Sequence, residues 1–243
     1  MALWRQTRGS RLVALLGTFT AMLAVLDALP MVPGFYAGVW DSWVFVLSPL
    51  VGILMGPLLG AVSVLLGSLI GHLVVFRDVF ELFFMLGAAV GCAMAGFVFQ
   101  TRWRPALATY TVLLMLYLLY PVSWALPLWG VWDILVGYCT LVFFSLMVIR
   151  DALPEEGIRR NTTLLILSSL IGLESDALFR VVLLVPGQTY WLFYGLNPTQ
   201  LQLLWIAAGI VTPIKVALGT ALVVILGLAL LRGLRTGHLE LPS

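Results

Sequence analysis

Residues 41–71 read DSWVFVLSPLVGILMGPLLGAVSVLLGSLIG. Two apolar segments meet at Gly56-Pro57 with no polar linker between them. Pro57 has no N–H to give and its ring crowds the preceding turn, so this junction predicts a sharp helix–helix corner. Glycines at 52, 56, 60, 67 and 71, with Ser63 filling the series, place a small residue every three or four positions. Such a stripe lets neighbouring helices approach closely in lipid, where packing drives their association.

The rest of the chain points to the same solvent. Of its 243 residues, 62% are hydrophobic and 10% charged, where a soluble domain carries roughly 25% charged residues. Mean hydropathy is +1.08. The apolar runs are continuous and about 20 residues long, which suits spanning helices and not the short alternation of barrel strands. The expected fold is therefore all-α, a polytopic bundle of about eight transmembrane helices. They fall at roughly 11–29, 42–56, 57–76, 79–100, 106–126, 128–149, 162–185 and 203–232. The basic start and first apolar run resemble a signal peptide, but no small-residue cleavage site precedes a soluble chain, so a first spanning helix is expected. Cys92 and Cys139 lie in apolar runs without metal or CxxC spacing and read as packing residues.

Orientation follows from the arginines. With the N-terminus inside, inner segments hold Arg5, Arg8, Arg11, Arg102, Arg104, Arg150, Arg159, Arg160, Arg232 and Arg235, and outer segments hold only Arg77. That bias predicts a cell-membrane protein with both termini cytoplasmic. The Asn161-Thr162-Thr163 sequon then falls on the inner side and is discounted. The outer connections, 30–43, 76–81, 121–133 and 186–200, are rich in Trp, Tyr, Pro and Gly. An interfacial aromatic belt accounts for many of these rings, while the prolines suggest ordered loops able to fold over a site.

Ionisable residues inside the membrane are costly and are functional candidates by default. Glu174, Asp176, Arg180 and Lys215 fall in the last two expected spans, in their middle or outer halves. Asp176 and Arg180 are spaced to pair along one helix face. Glu174 points about 200° away from Asp176 at 3.6 residues per turn, and Lys215 is its expected partner. Two roles suit these charges: structural ion pairs that fix helix register, or the polar floor of a cavity opening outward, which Asp133 could join. His72 reads as an interfacial residue near the outer end of its span. No HExxH, no further His at ligand spacing and no acidic pair suggests a metal, and no cofactor motif stands out. Gly87, Gly91 and Ala95 form a packing seam, and Ala14/Thr18 and Gly17/Ala21 form small pairs on the first span.

These residues resemble a known family, the substrate-binding S-component of energy-coupling-factor (ECF) vitamin transporters. Three segments carry the likeness: Asp41-Ser42-Trp43 leading through Gly52 to Gly56-Pro57-Leu58-Leu59-Gly60; Glu81-Leu82 opening a glycine-rich helix that ends at Arg102-Trp103-Arg104; and Thr212-Pro213-Ile214-Lys215 running to Leu231-Arg232-Gly233-Leu234. The resemblance covers residues 1–127 and 203–235 of a single membrane domain, as a six-helix core. Residues 128–185 then read as an inserted helix pair, which preserves orientation, and the charges at 133, 174, 176 and 180 are not carried over from the family. The resemblance implies a non-enzymatic, substrate-binding subunit for uptake of a vitamin, precursor or other micronutrient. Its implied partners are a transmembrane coupling subunit and two ATPase subunits, with no nucleic acid. The ligand would bind in the outer half, near Tyr36, Trp40, Asp41, Arg77, Glu81, Trp124, Trp132 and Asp133. Lys215 or Arg180 would pair with a ligand carboxylate or phosphate. Ala14, Gly17, Thr18 and Ala21 stand where the family's small-residue face docks on the coupling subunit, and Gly56 and Pro57 are further contact candidates.

Three rival readings remain open. A membrane sensor or assembly subunit would bind no transported solute. An intramembrane enzyme could use Glu174 or Asp176 as acid or base, although no nucleophile accompanies them. A retinal-binding photoreceptor could use Lys215, but Val211 stands where an acidic residue one turn earlier is expected, and the even span count disagrees.

Overall fold

The computed structural model describes residues 9–29, 42–76 and 81–236. It is helical throughout, with no β-strand among the described residues. The helices are α1 (Gly9–Ala28), α2 (Trp43–Met55), α3 (Pro57–Val74), α4 (Glu81–Phe99), α5 (Trp103–Leu118), α6 (Trp132–Ile149), α7 (Ile158–Leu184), α8 (Thr189–Leu192) and α9 (Pro198–Thr236). Among the described residues four stretches, Pro57–Val74, Glu81–Phe99, Leu128–Ile149 and Pro198–Gly233, are long and apolar enough to cross a membrane. Large apolar side chains stand exposed on many helices, among them Leu58, Leu73, Leu119, Leu203, Leu218 and Ile225. A bundle clothed in such residues suits lipid rather than water, because a soluble monomer rarely exposes wide apolar patches.

The corner at Gly56-Pro57 forms as its sequence predicts. Gly56 sits at φ 87°, a backbone region that disfavours side chains, and Pro57 opens α3 at its first position. The glycine stripe beyond it is filled by neighbouring helices. A methyl group at Gly52 would run into the Cys92 carbonyl oxygen, one at Gly60 would lie 2.9 Å from the Cys92 sulfur, and one at Gly67 would lie 2.5 Å from Leu23. Cys92 is fully buried in this seam, which is the packing role its context suggested.

Two element boundaries differ from expectation. The fifth helix stops at Leu118 and does not reach 126. Residues 121–131 instead make two short 3-10 turns, Pro121–Ala125 and Leu128–Val131. Pro121 and Pro127 cannot donate to a helical ladder, which explains the break. The last helix starts at Pro198 and runs 39 residues with Pro213 inside. At 1.5 Å per residue that is about 58 Å, well beyond a bilayer's hydrocarbon core of about 30 Å.

The close contacts fix the directions of the helices. Gly71 lies against Asp27, so α1 and α3 run together. Gly96 lies against Pro57 and Gly52, so α4 starts at the same end as α2. Gly91 meets Gly172, and Gly219 and Gly227 meet Leu173 and Leu165, so α7 runs against both α4 and α9. One end of the bundle therefore gathers the last turns of α1, α3, α5 and α7 with the first turns of α2, α4, α6 and α9. The opposite end holds the Gly56-Pro57 corner, Arg102, Arg104, Arg150, Arg159 and Arg160.

α7 lies at the centre. It packs most extensively against α4 and also touches α9, α6, α2 and α5. Residues 128–185, which the resemblance treats as an inserted pair, thus supply the axis around which the other helices assemble. Gly56 and Pro57 are both buried. They serve the packing of the corner and offer no outward contact face. Ala14, Gly17, Thr18 and Ala21 face outward on α1.

Candidate functional site

The buried Asp, Glu, His and Arg residues among those described collect in one half of the bundle, in three groups.

The first joins α1, α3 and α4. Asp27 is fully buried, and its Oδ2 lies 2.9 Å from His72 Nδ1. The same ring nitrogen lies 2.9 Å from the Ser68 carbonyl oxygen. A carbonyl can only accept, so Nδ1 carries the proton and donates to both oxygens. The other ring nitrogen, Nε2, lies 3.7 Å from Glu81 Oε2. His72, in the last turn of α3, is therefore held between two carboxyl groups and buried inside the bundle. Gly71 makes this possible, since a methyl there would lie 2.7 Å from Asp27 Oδ2.

The second group is the Asp176–Arg180 pair on α7. Arg180 donates from Nε to Asp176 Oδ1 at 2.5 Å and from a terminal nitrogen to Oδ2 at 3.1 Å. One helical turn separates the two residues, and the fork engages both carboxylate oxygens. Gly87 leaves room for this pair, because a methyl there would clash with Asp176 Oδ1. The guanidinium also lies 5.8 Å from the centre of the Phe45 ring, a cation–π contact with α2. The expected pairing of these two residues is present, and Arg180 is committed to it.

The third group lies between α5, α6, α7 and α9. Asp133, in the first turn of α6, accepts from the Ile134 N–H at 2.9 Å through Oδ1, while Oδ2 is buried without a hydrogen-bond partner among the described residues. Glu174 packs against Gly137 one turn below, where a methyl would lie 2.8 Å from its Cβ and 2.7 Å from the Tyr110 hydroxyl. Glu174 Oε2 likewise has no partner among the described residues. Tyr110 donates to the Ile134 carbonyl at 2.8 Å. A cavity of about 30 Å³ opens beside Asp133, walled by Gly130, Ile134, Ala177, Val181, Trp205 and Thr212. The expected Glu174–Lys215 pair is not formed. Leu173 faces α9 at Gly219, which turns the neighbouring Glu174 towards α5 and α6. Lys215 is half-buried on α9.

No family model matches the chain, and no curated protein or solved structure does either.

The connections above this end are anchored to the bundle. Trp132 donates from its indole nitrogen to the Gly209 carbonyl at 2.9 Å, and Gln202 donates to the Ala125 carbonyl at 2.8 Å, tying the 121–131 turns to α9. Trp205 fits against Gly130 and stacks on Tyr117, ring centres 6.0 Å apart. Phe193 and Tyr194 lie against Phe83 and Phe84 of α4 at 5.7 and 6.3 Å. Trp124 is 72% exposed and points mainly outward, while Trp132, 46% exposed, is tied to α9 by its indole nitrogen. Glu81 is half-buried beside His72. Tyr36, Trp40, Asp41 and Arg77 lie outside the described residues.

Sequence reading missed Asp27, Tyr110, Trp205 and Thr212. Asp27 had a usable signal, as an acidic residue inside the last turn of an otherwise apolar run. The aromatic and hydroxyl residues had none, because belt, core and site aromatics look alike in a string.

Proposed function

We propose that the chain is an eight-span cell-membrane protein with cytoplasmic termini that binds a small solute at its polar end. We propose further that it is the substrate-binding subunit of an ECF-type micronutrient uptake system rather than an enzyme. One observation carries this reading: the buried acidic, histidine and arginine side chains and the anchored aromatic turns share one end of the bundle. Groups at this depth are costly in lipid and are retained where they contact one another or a ligand. The opposite end carries most of the arginines, which fits a cytoplasmic face.

In this reading the outer connections bring aromatic surface to the solute, and Glu81 and Asp133 line the approach. The outward small-residue face of α1, at Ala14, Gly17, Thr18 and Ala21, would dock on the coupling subunit, with two ATPase subunits beneath it. Asp176 engages Arg180 through two of its three nitrogens, so an anionic solute would rely chiefly on Lys215 or on Arg77.

The test is mass spectrometry of small molecules released from the purified full chain, followed by binding of any compound found. A stoichiometric released micronutrient, rebound by the stripped protein, is the expected outcome. Absence of any bound or bindable solute, with no uptake when the chain is co-expressed with a coupling subunit and its ATPases, would refute it. The central position of α7 favours one alternative, a sensor or assembly subunit built on a different helix plan, and that alternative predicts no bound solute.

A further inference from the structure

Asp133 and Glu174 lie on facing surfaces of α6 and α7, and each keeps one buried carboxyl oxygen without a partner among the described residues. Asp133 is 4% exposed and Glu174 3%. Neither forms an ion pair among the described residues. The elements packed around them contribute Tyr110 and Tyr117 from α5, and Trp205, Thr212 and, one turn on, the half-buried Lys215 from α9. On α7 itself, the Arg180 guanidinium is engaged by Asp176. The chain therefore buries two carboxyl groups that form no ion pair with a described residue. Burying an unpaired carboxylate costs several kcal/mol, so something positive must sit with them.

A proton would satisfy that need, but a protonated carboxyl requires no extra room. Here Asp133, whose Oδ2 is unpartnered among the described residues, lines a cavity of about 30 Å³ that Thr212 also lines. That volume holds about two waters, or one small desolvated ion. Asp133 also stands in the first turn of α6, where the helix dipole favours the ionised carboxylate. The indole of Trp205 forms another wall, and aromatic rings tolerate cations well.

We propose that this cavity is a binding site for a small monovalent cation, either an alkali ion or an ammonium head group. Asp133, on the cavity wall, supplies the charge and Thr212 a neutral oxygen, while Glu174, beside Gly137 of the next turn and outside the lining, adds to the negative field. The site is far too small for a vitamin. It would serve as a coupling or structural ion site beside a solute site, and it stands whether or not a solute is transported.

The experiment uses the purified full chain in detergent. Its thermal midpoint is followed while sodium, potassium, ammonium or methylammonium chloride replaces tetraethylammonium chloride at constant ionic strength. A saturable rise with at least one small cation is expected, and the alkali and ammonium series separate the two sources. Asp133→Asn and Glu174→Gln should each weaken the apparent affinity roughly 30-fold or more, by analogy with truncation of a buried charge contact. Glu155→Gln, on the exposed 150–157 connection, should keep the wild-type response. If Asp133→Asn does not fold, the wild-type titration and Glu174→Gln decide. No cation-dependent rise would mean a protonated, water-filled pair and would overturn the proposal. A rise retained in both acidic variants would overturn it as well.

Discussion

At the scale of single residues, the polar end is governed by how each charge is compensated. Asp176 and Arg180 neutralise one another through two hydrogen bonds deep in the bundle. Removing one partner of a buried pair strands the other, which costs about 3–5 kcal/mol, whereas replacing both with apolar residues of similar size is often neutral. Arg180→Ala should therefore lower the melting midpoint sharply in detergent. The double variant Asp176→Leu/Arg180→Met should recover most of that loss, as read by scanning fluorimetry. A double variant no better than the single one would show that the pair does more than compensate itself. His72 makes a second residue-scale case. Its donation to Asp27 ties α3 to α1, so His72→Ala should destabilise by about 2 kcal/mol or more, the range for losing a charge-assisted bond in a buried site. Glutamine, which retains a donor, should do less damage.

At the scale of elements, the glycines divide into those that meet a neighbour and those that do not. Gly52 lies on the Cys92 backbone, so any side chain there would force α2 away from α4. Gly17 meets nothing within 4 Å. Gly52→Ala should abolish a monodisperse peak in size-exclusion chromatography. Gly17→Ala should leave both the peak and the melting midpoint within roughly 0.5 kcal/mol of wild type, as surface changes usually do. In a complete uptake assay Gly17→Leu would separate folding from docking. It should spare the fold and impair uptake if α1 carries the partner face.

At the scale of the whole molecule, the question is which end faces the cytoplasm. The 150–157 connection and the turn at Gln188 lie at opposite ends of the bundle. Single cysteines at Glu155→Cys and Gln188→Cys, with Cys92 and Cys139 replaced by alanine, can be probed with a membrane-impermeant maleimide. Gln188→Cys should label in intact cells, and Glu155→Cys only after permeabilisation. The reverse pattern would invert the proposed orientation. Labelling of both positions in intact cells would break the eight-span scheme.

The sequence alone determined the solvent, the helical class and the corner at Gly56-Pro57. Those follow from local chemistry: apolar run length, the missing proline N–H, and glycines at helical spacing. It also determined the Asp176–Arg180 pair, because residues one turn apart on a helix share a face whatever surrounds them. Tertiary structure decided what depends on rotation and neighbours between helices. It turned Glu174 away from Lys215 and towards α6, buried His72 against Asp27, ended α5 eight residues early, and made α7 the axis of the bundle. Each outcome turns on which helix faces which, and helices separated by dozens of residues leave no periodicity in the chain from which that choice can be read.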